Sequence, residues 1–195
     1  MISSISLKEF KSFRELCNLN IKPLTILCGA NSSGKSSILK SLLILKQSYE
    51  NTSANDALTL NGAYSNNGYF GDIIHCHKES SFSISNTFKI TDPFNGKSYV
   101  ENQTETLQSY KALKKIFAKR GQTVNVFEIS SNIEFYENKS SSLIKMAVIK
   151  SYEIQISATI NGEVKKSGIT LERNGNSERK FNIKWTPSRM LVFIL

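Results

Sequence analysis

The chain has 195 residues, enough for one ordinary domain, or a domain with an insertion, and enough to bury a real core. Its 39% hydrophobic and 21% charged content fits a soluble globular protein and excludes global disorder, and no apolar run approaches the roughly 18 residues that span a membrane. A net charge of +9, from 25 Lys and Arg against 16 Asp and Glu, favours polyanionic partners, although the basic residues are scattered.

The first ten residues lack the basic start and apolar centre of a signal peptide, so a cytoplasmic protein without membrane partners is expected. Cys17, Cys28 and Cys76 are widely spaced and form no CxxC pair, which argues against a disulfide framework or a cysteine zinc site. Ile2 to Leu7 alternates as a first strand and Leu16 to Ile21 as a second. Leu24 to Cys28 is a continuous apolar run, predicted as a buried strand of a parallel sheet with Cys28 as a small core residue.

Gly29 to Gly34 is a glycine- and serine-rich turn, followed by a predicted helix from Lys35 to about Tyr49. Ile38, Leu39, Leu42, Leu43 and Leu45 form its wide apolar face, with Lys40 and Lys46 off it. Residues 58–77 are rich in turn signals, Asn61-Gly62 and Asn67-Gly68 among them. Ser81 to Ile90 alternates as a strand, residues 91–104 read as a loop, and a second helix is predicted at about 105–120. Leu107, Tyr110, Leu113 and Phe117 lie on one face of it. Strands follow at roughly 123–136, 143–160, 164–173 and 179–185, with Asn161-Gly162 and Asn174-Gly175 as turns.

The strongest chemical signal is Gly29-Ala30-Asn31-Ser32-Ser33-Gly34-Lys35-Ser36, which fits G-x-x-x-x-G-K-[ST] at every fixed position. Glycines allow backbone conformations that a Cβ obstructs, so the loop can turn its N–H groups inward as an anion nest. The helix N-terminus adds free donors and its dipole. Lys35 supplies a point charge for the β- and γ-phosphates, Ser36 a hydroxyl for Mg²⁺, and Ser37 a donor toward the α-phosphate. The competing interpretation is an ordinary glycine turn capping a helix.

The stretch from Ile5 to Phe13, then a strand, then Leu24 to Gln47, resembles the N-terminal lobe of ABC-type ATPases of the SMC and RecF kind. It is most similar to the smaller AAA family ATPases of that group, including those of bacterial anti-phage systems such as the Septu ATPase and the overcoming-lysogenization-defect nucleases. Residues 58–75 resemble the element that follows the phosphate-loop helix there. The resemblance covers about residues 1–90. It implies an α/β fold in which a P-loop, SMC-head-like lobe (1–90) joins a mixed, largely antiparallel β region (91–195) within one incomplete ATPase domain. Its expected ligands are ATP and Mg²⁺. Its expected partners are a second copy or a longer ATPase or nuclease, with DNA a further one. Lys11 and Ser12 match an L-x-N-F-[KR]-S motif whose residues approach the nucleotide; Glu9 stands where Asn is usual and carries no role.

Hydrolysis in that group uses a Walker B strand ending in Asp-Glu, an L-S-G-G-like signature given in trans, and a switch histidine. None is found here: Val124 to Ser130 has a Glu without a preceding Asp, and Met190 to Leu195 has no acids after its apolar run. The chain is therefore expected to be the N-terminal part of such an ATPase, binding ATP weakly and turning it over negligibly alone. The alternatives are a non-catalytic interaction module or an inactive remnant.

Three further features carry less. His75-Cys76-His77 is not expected to bind metal, because adjacent residues diverge and no second ligand cluster accompanies them. Lys111, Lys114, Lys115, Lys119 and Arg120 of the second helix are expected to form a solvated face, with DNA phosphates as the alternative. For stacking on adenine, Phe10, Phe13 and Tyr69 are all candidates.

Overall fold

The computed structural model describes residues 2–51, 58–77, 80–91, 105–118, 122, 124–138, 146–160, 163–175 and 180–186. Two strands open the chain, β1 (Ile2–Phe10) and β2 (Phe13–Asn20), and α1 (Lys35–Glu50) follows. After the loop segment 58–77 come β3 (Ser81–Thr91), α2 (Glu105–Phe117), β4 (Val124–Asn138), β5 (Met146–Ile160), β6 (Glu163–Arg173) and β7 (Phe181–Thr186). All seven strands join one sheet in the order β2-β1-β3-β4-β5-β6-β7, and every pairing is antiparallel.

Register separates the two faces of the sheet. Ser6, Ser85, Asn132, Glu153, Thr170 and Lys184 stand opposite one another across six strands, a wholly polar row. The next row holds Leu7, Ile84, Ile133, Tyr152, Leu171 and Ile183 and points to the other side. The apolar face carries the core. Ile5, Leu7, Phe10, Phe82, Ile84 and Phe135 pack there against Ile38 and Ile44 of α1 and against Phe70, Ile73 and Ile74 of the loop segment. Phe82 is the hub of this cluster, with ring centroids 5.2 to 5.6 Å from Phe10, Phe70 and Phe135. A second cluster joins Phe117 and Leu113 of α2 to Val124, Phe127, Ala158 and Ile160. Leu107 and Tyr110, predicted on that face of α2, lie outside the described side chains, as do Lys119 and Arg120, the Asn161-Gly162 turn and the run Met190 to Leu195.

The sequence expectation fails at Leu24 to Cys28. This segment forms no strand and has no parallel partner among the described residues. Leu24 and Ile26 are 79% and 74% exposed, and Cys28 is exposed rather than a core residue. A parallel strand needs a neighbour brought back by a crossover, and the described strands all pair antiparallel within one sheet. Only Leu27 of this run reaches the core. The apolar face of α1 is also narrower than its leucines suggest. Ser37, Ile38, Ser41, Ile44 and Gln47 form the buried stripe, while Leu39 is 56% exposed.

Candidate functional site

The β1–β2 hairpin ends in a two-residue tip, Lys11-Ser12, between the paired residues Phe10 and Phe13. Lys11 adopts the left-handed conformation, with φ 49. This tip packs against the start of α1. A Cβ on Gly34 would lie 2.7 Å from Cζ of Phe13 and 3.3 Å from Cβ of Ser12, and the hydroxyls of Ser12 and Ser37 approach to 3.5 Å. Two sequence-predicted site residues that are far apart in the chain, Ser12 and Ser37, are thereby neighbours.

Gly29 (φ 152) and Gly34 (φ 96) frame the intervening loop, and both conformations suit glycine best. Between them Ala30, Asn31, Ser32 and Ser33 are exposed. Ser33 closes the turn by donating its N–H to the Ala30 carbonyl at 3.3 Å. Lys35 arches back over the loop, where Nζ donates to the carbonyls of Gly29, at 2.8 Å, and Ala30, and to Oγ of Ser33 at 3.3 Å. Its ammonium is thus held at the loop rather than extended into solvent.

Lys35 is the first residue of α1, so its N–H and that of Ser36 precede the first helical acceptor, the Gly34 carbonyl, which takes the amides of Ser37 and Ile38. Gly34 gives the helix no side-chain cap, and the first turn contains no acidic residue. The N-terminal partial charge is left to whatever approaches the loop. Ser36 is exposed on this first turn and Ser37 is buried beneath it.

Lys11 is half-buried. Desolvation, reinforced by the nearby positive charge of Lys40, lowers its pKa below the ordinary lysine range, and Asp72 opposes that shift. Lys40 lies one turn beyond Ser36 on α1. The hairpin tip and the helix therefore bring two cations close together beside the glycine loop, and a third, Lys35, lies over it.

The three aromatic candidates separate by burial. Phe10 is fully buried against Phe82 and offers no free face, and Phe13 is half-buried with its ring edge on Gly34. Tyr69 is 78% exposed.

Three contributors had no local signature in the sequence. Lys40 acts only through its distance from Lys11. Gln47 is a buried amide that binds the following loop, donating to Thr59 O at 2.6 Å and accepting from Ser65 N at 3.1 Å. His75 binds the carbonyl of Lys11 through Nδ1 at 2.8 Å. No group of three or more His, Cys, Asp or Glu side chains fit to hold a metal occurs among the described residues. No described helix is long and apolar enough to cross a membrane.

Fold and loop together are consistent with a nucleotide-binding protein. A family model for the AAA ATPase domain matches residues 1–185, and the chain belongs to that family. No curated protein and no solved structure matches the chain. Membership makes ATP the ligand to expect, typically with Mg²⁺.

Proposed function

We propose that the chain binds ATP with Gly29–Ser36 acting as a Walker A loop. The observation that carries this reading is the uncapped start of α1, free of acidic residues, beneath a glycine-framed loop over which Lys35 is folded. In it, the amides of Asn31 to Ser36, apart from that of Ser33, which is bonded to Ala30, receive the β-phosphate, and Lys35 exchanges its loop carbonyls for phosphate oxygens. Ser36 would hold Mg²⁺ through its hydroxyl, and the ion would neutralise charge on the phosphates. Ser37, Ser12 and Lys11 complete the wall on the hairpin side.

We further propose, on the sequence resemblance, that this is an ABC- or SMC-like site, in a cytoplasmic protein that pairs with a second copy or with a longer ATPase or nuclease. A role on DNA or in anti-phage defence rests on the same resemblance. No Walker B pattern stands in the sequence, so this chain by itself binds ATP without appreciable turnover. Calorimetric titration with ATP, with and without Mg²⁺, tests the binding claim. A phosphate-release assay tests the second, and robust turnover lost in Lys35→Ala would contradict it.

A further inference from the structure

Resting on the ATP-binding reading, we infer that His75 is a positioning residue for the nucleotide site, acting through the carbonyl of Lys11. The carbonyl can only accept, so Nδ1 of His75 donates, at 2.8 Å. The peptide on the other side of the Lys11 Cα is held as well, because the N–H of Lys11 donates to the carbonyl of Ile73. A bridge between Phe10 and Ile74 completes the clamp.

What the clamp holds is a strained tip. Lys11 sits at φ 49, in the left-handed region that a residue with a Cβ disfavours. Such a conformation persists where surrounding contacts fix it. Ile73 and Ile74 are buried at 0% and 3% exposure, so the segment that grips Lys11 is anchored in the core. His75 is half-buried at its edge, while Cys76 and His77 beyond it are exposed. From the clamped tip, Ser12 reaches Ser37, Phe13 reaches Gly34, and the Lys11 ammonium comes near Lys40. The segment 70–77 thus sets the hairpin side of the site although none of its own side chains touches the loop in any contact described above.

The test uses the full chain with His75→Ala and His75→Asn, because the Asn side-chain amide places an N–H the same number of bonds from Cα as Nδ1. Calorimetry with Mg·ATP is expected to show about five-fold weaker binding for His75→Ala, with His75→Asn close to the unmodified chain, as for one lost and one restored hydrogen bond. Amide exchange at Lys11 to Phe13, measured without nucleotide, should accelerate in His75→Ala and recover in His75→Asn. Unchanged binding in His75→Ala, or equal weakening in both variants, overturns the inference. If the unmodified chain fails to bind ATP, the ATP reading falls. The exchange measurement then still decides whether His75 holds the tip.

Discussion

Cζ of Phe13 occupies the space where Gly34 would carry a Cβ, at 2.7 Å. A hairpin residue and the residue just before α1 are therefore mutually exclusive in size, and the loop can reach its position only with glycine at 34. Gly34→Ala adds the cost of a side chain at φ 96 to this overlap. The variant is expected to lose roughly 2 kcal/mol of stability and most of its ATP affinity. Urea unfolding and calorimetry check the two effects. Gly71→Ala is the control, because a Cβ there meets nothing within 4 Å.

Lys11 is a site where affinity and stability should oppose each other. Burial and Lys40 disfavour its charged form in the folded protein. Its folded pKa lies below the unfolded one, so the unfolded state holds more protons between the two values. Stability then rises with pH across that interval, and at neutral pH the cost of the charge is present in full. Lys11→Met, which keeps the stem and removes the charge, should raise the melting temperature without nucleotide and weaken ATP binding. A fall in both would show that Lys11 is a structural residue.

Gln47 ties α1 to residues 59–65, and its side chain lies tight against Gly62, where a Cβ would approach it to 3.1 Å. Gln47→Ala leaves the carbonyl of Thr59 and the amide of Ser65 without this partner in a part-buried setting. A loss of about 1–3 kcal/mol is expected, read by urea unfolding. Lys46→Ala, next to it on the exposed side, should change stability by less than about 0.5 kcal/mol.

Glu134 sets an acid-side dependence. Burial pushes its pKa up, but hydrogen bonds from Lys150, Ser81 and Ser151 and the charge of Lys150 outweigh it and hold the carboxyl below the ordinary glutamate range. With the folded pKa depressed, its stabilisation is present above the unfolded value and is lost as pH falls through the folded one. Glu134→Gln should be less stable than the parent at neutral pH, and the difference should shrink on acidification below about pH 4.3. Denaturant midpoints at a series of pH values measure this.

The sequence made the strands and the loop motif legible for different reasons. Period-two alternation located β3 to β7 within a few residues, because one face of the sheet is mostly polar and the other mostly apolar. The glycine-lysine spacing marked the loop because that backbone tolerates few residue types. Leu24 to Cys28 misled because an apolar run reports a preference for burial and says nothing of whether a partner strand is present. Leu39 did so because helix periodicity cannot tell which part of a wide apolar arc finds a neighbour. The contributions of Lys40, Gln47 and His75 come from contacts between distant segments: His75 and Lys11 are 64 residues apart. Nothing in the local pattern of His75-Cys76-His77 distinguishes a backbone clamp from an incidental pair of ligands.

The central claim is that the loop over the start of α1 binds ATP through Lys35. Calorimetry of the 195-residue chain with ATP, with and without Mg²⁺, tests it most directly, with Lys35→Ala as the comparison. Among the described residues the Lys35 ammonium bonds to its own exposed loop, so the variant should fold like the parent. Binding that strengthens with Mg²⁺ and falls by at least about ten-fold in Lys35→Ala is the predicted result, the loss expected for a desolvated charge–phosphate contact. A folded chain that does not bind ATP, or that binds it equally well without the Lys35 ammonium, would contradict the account.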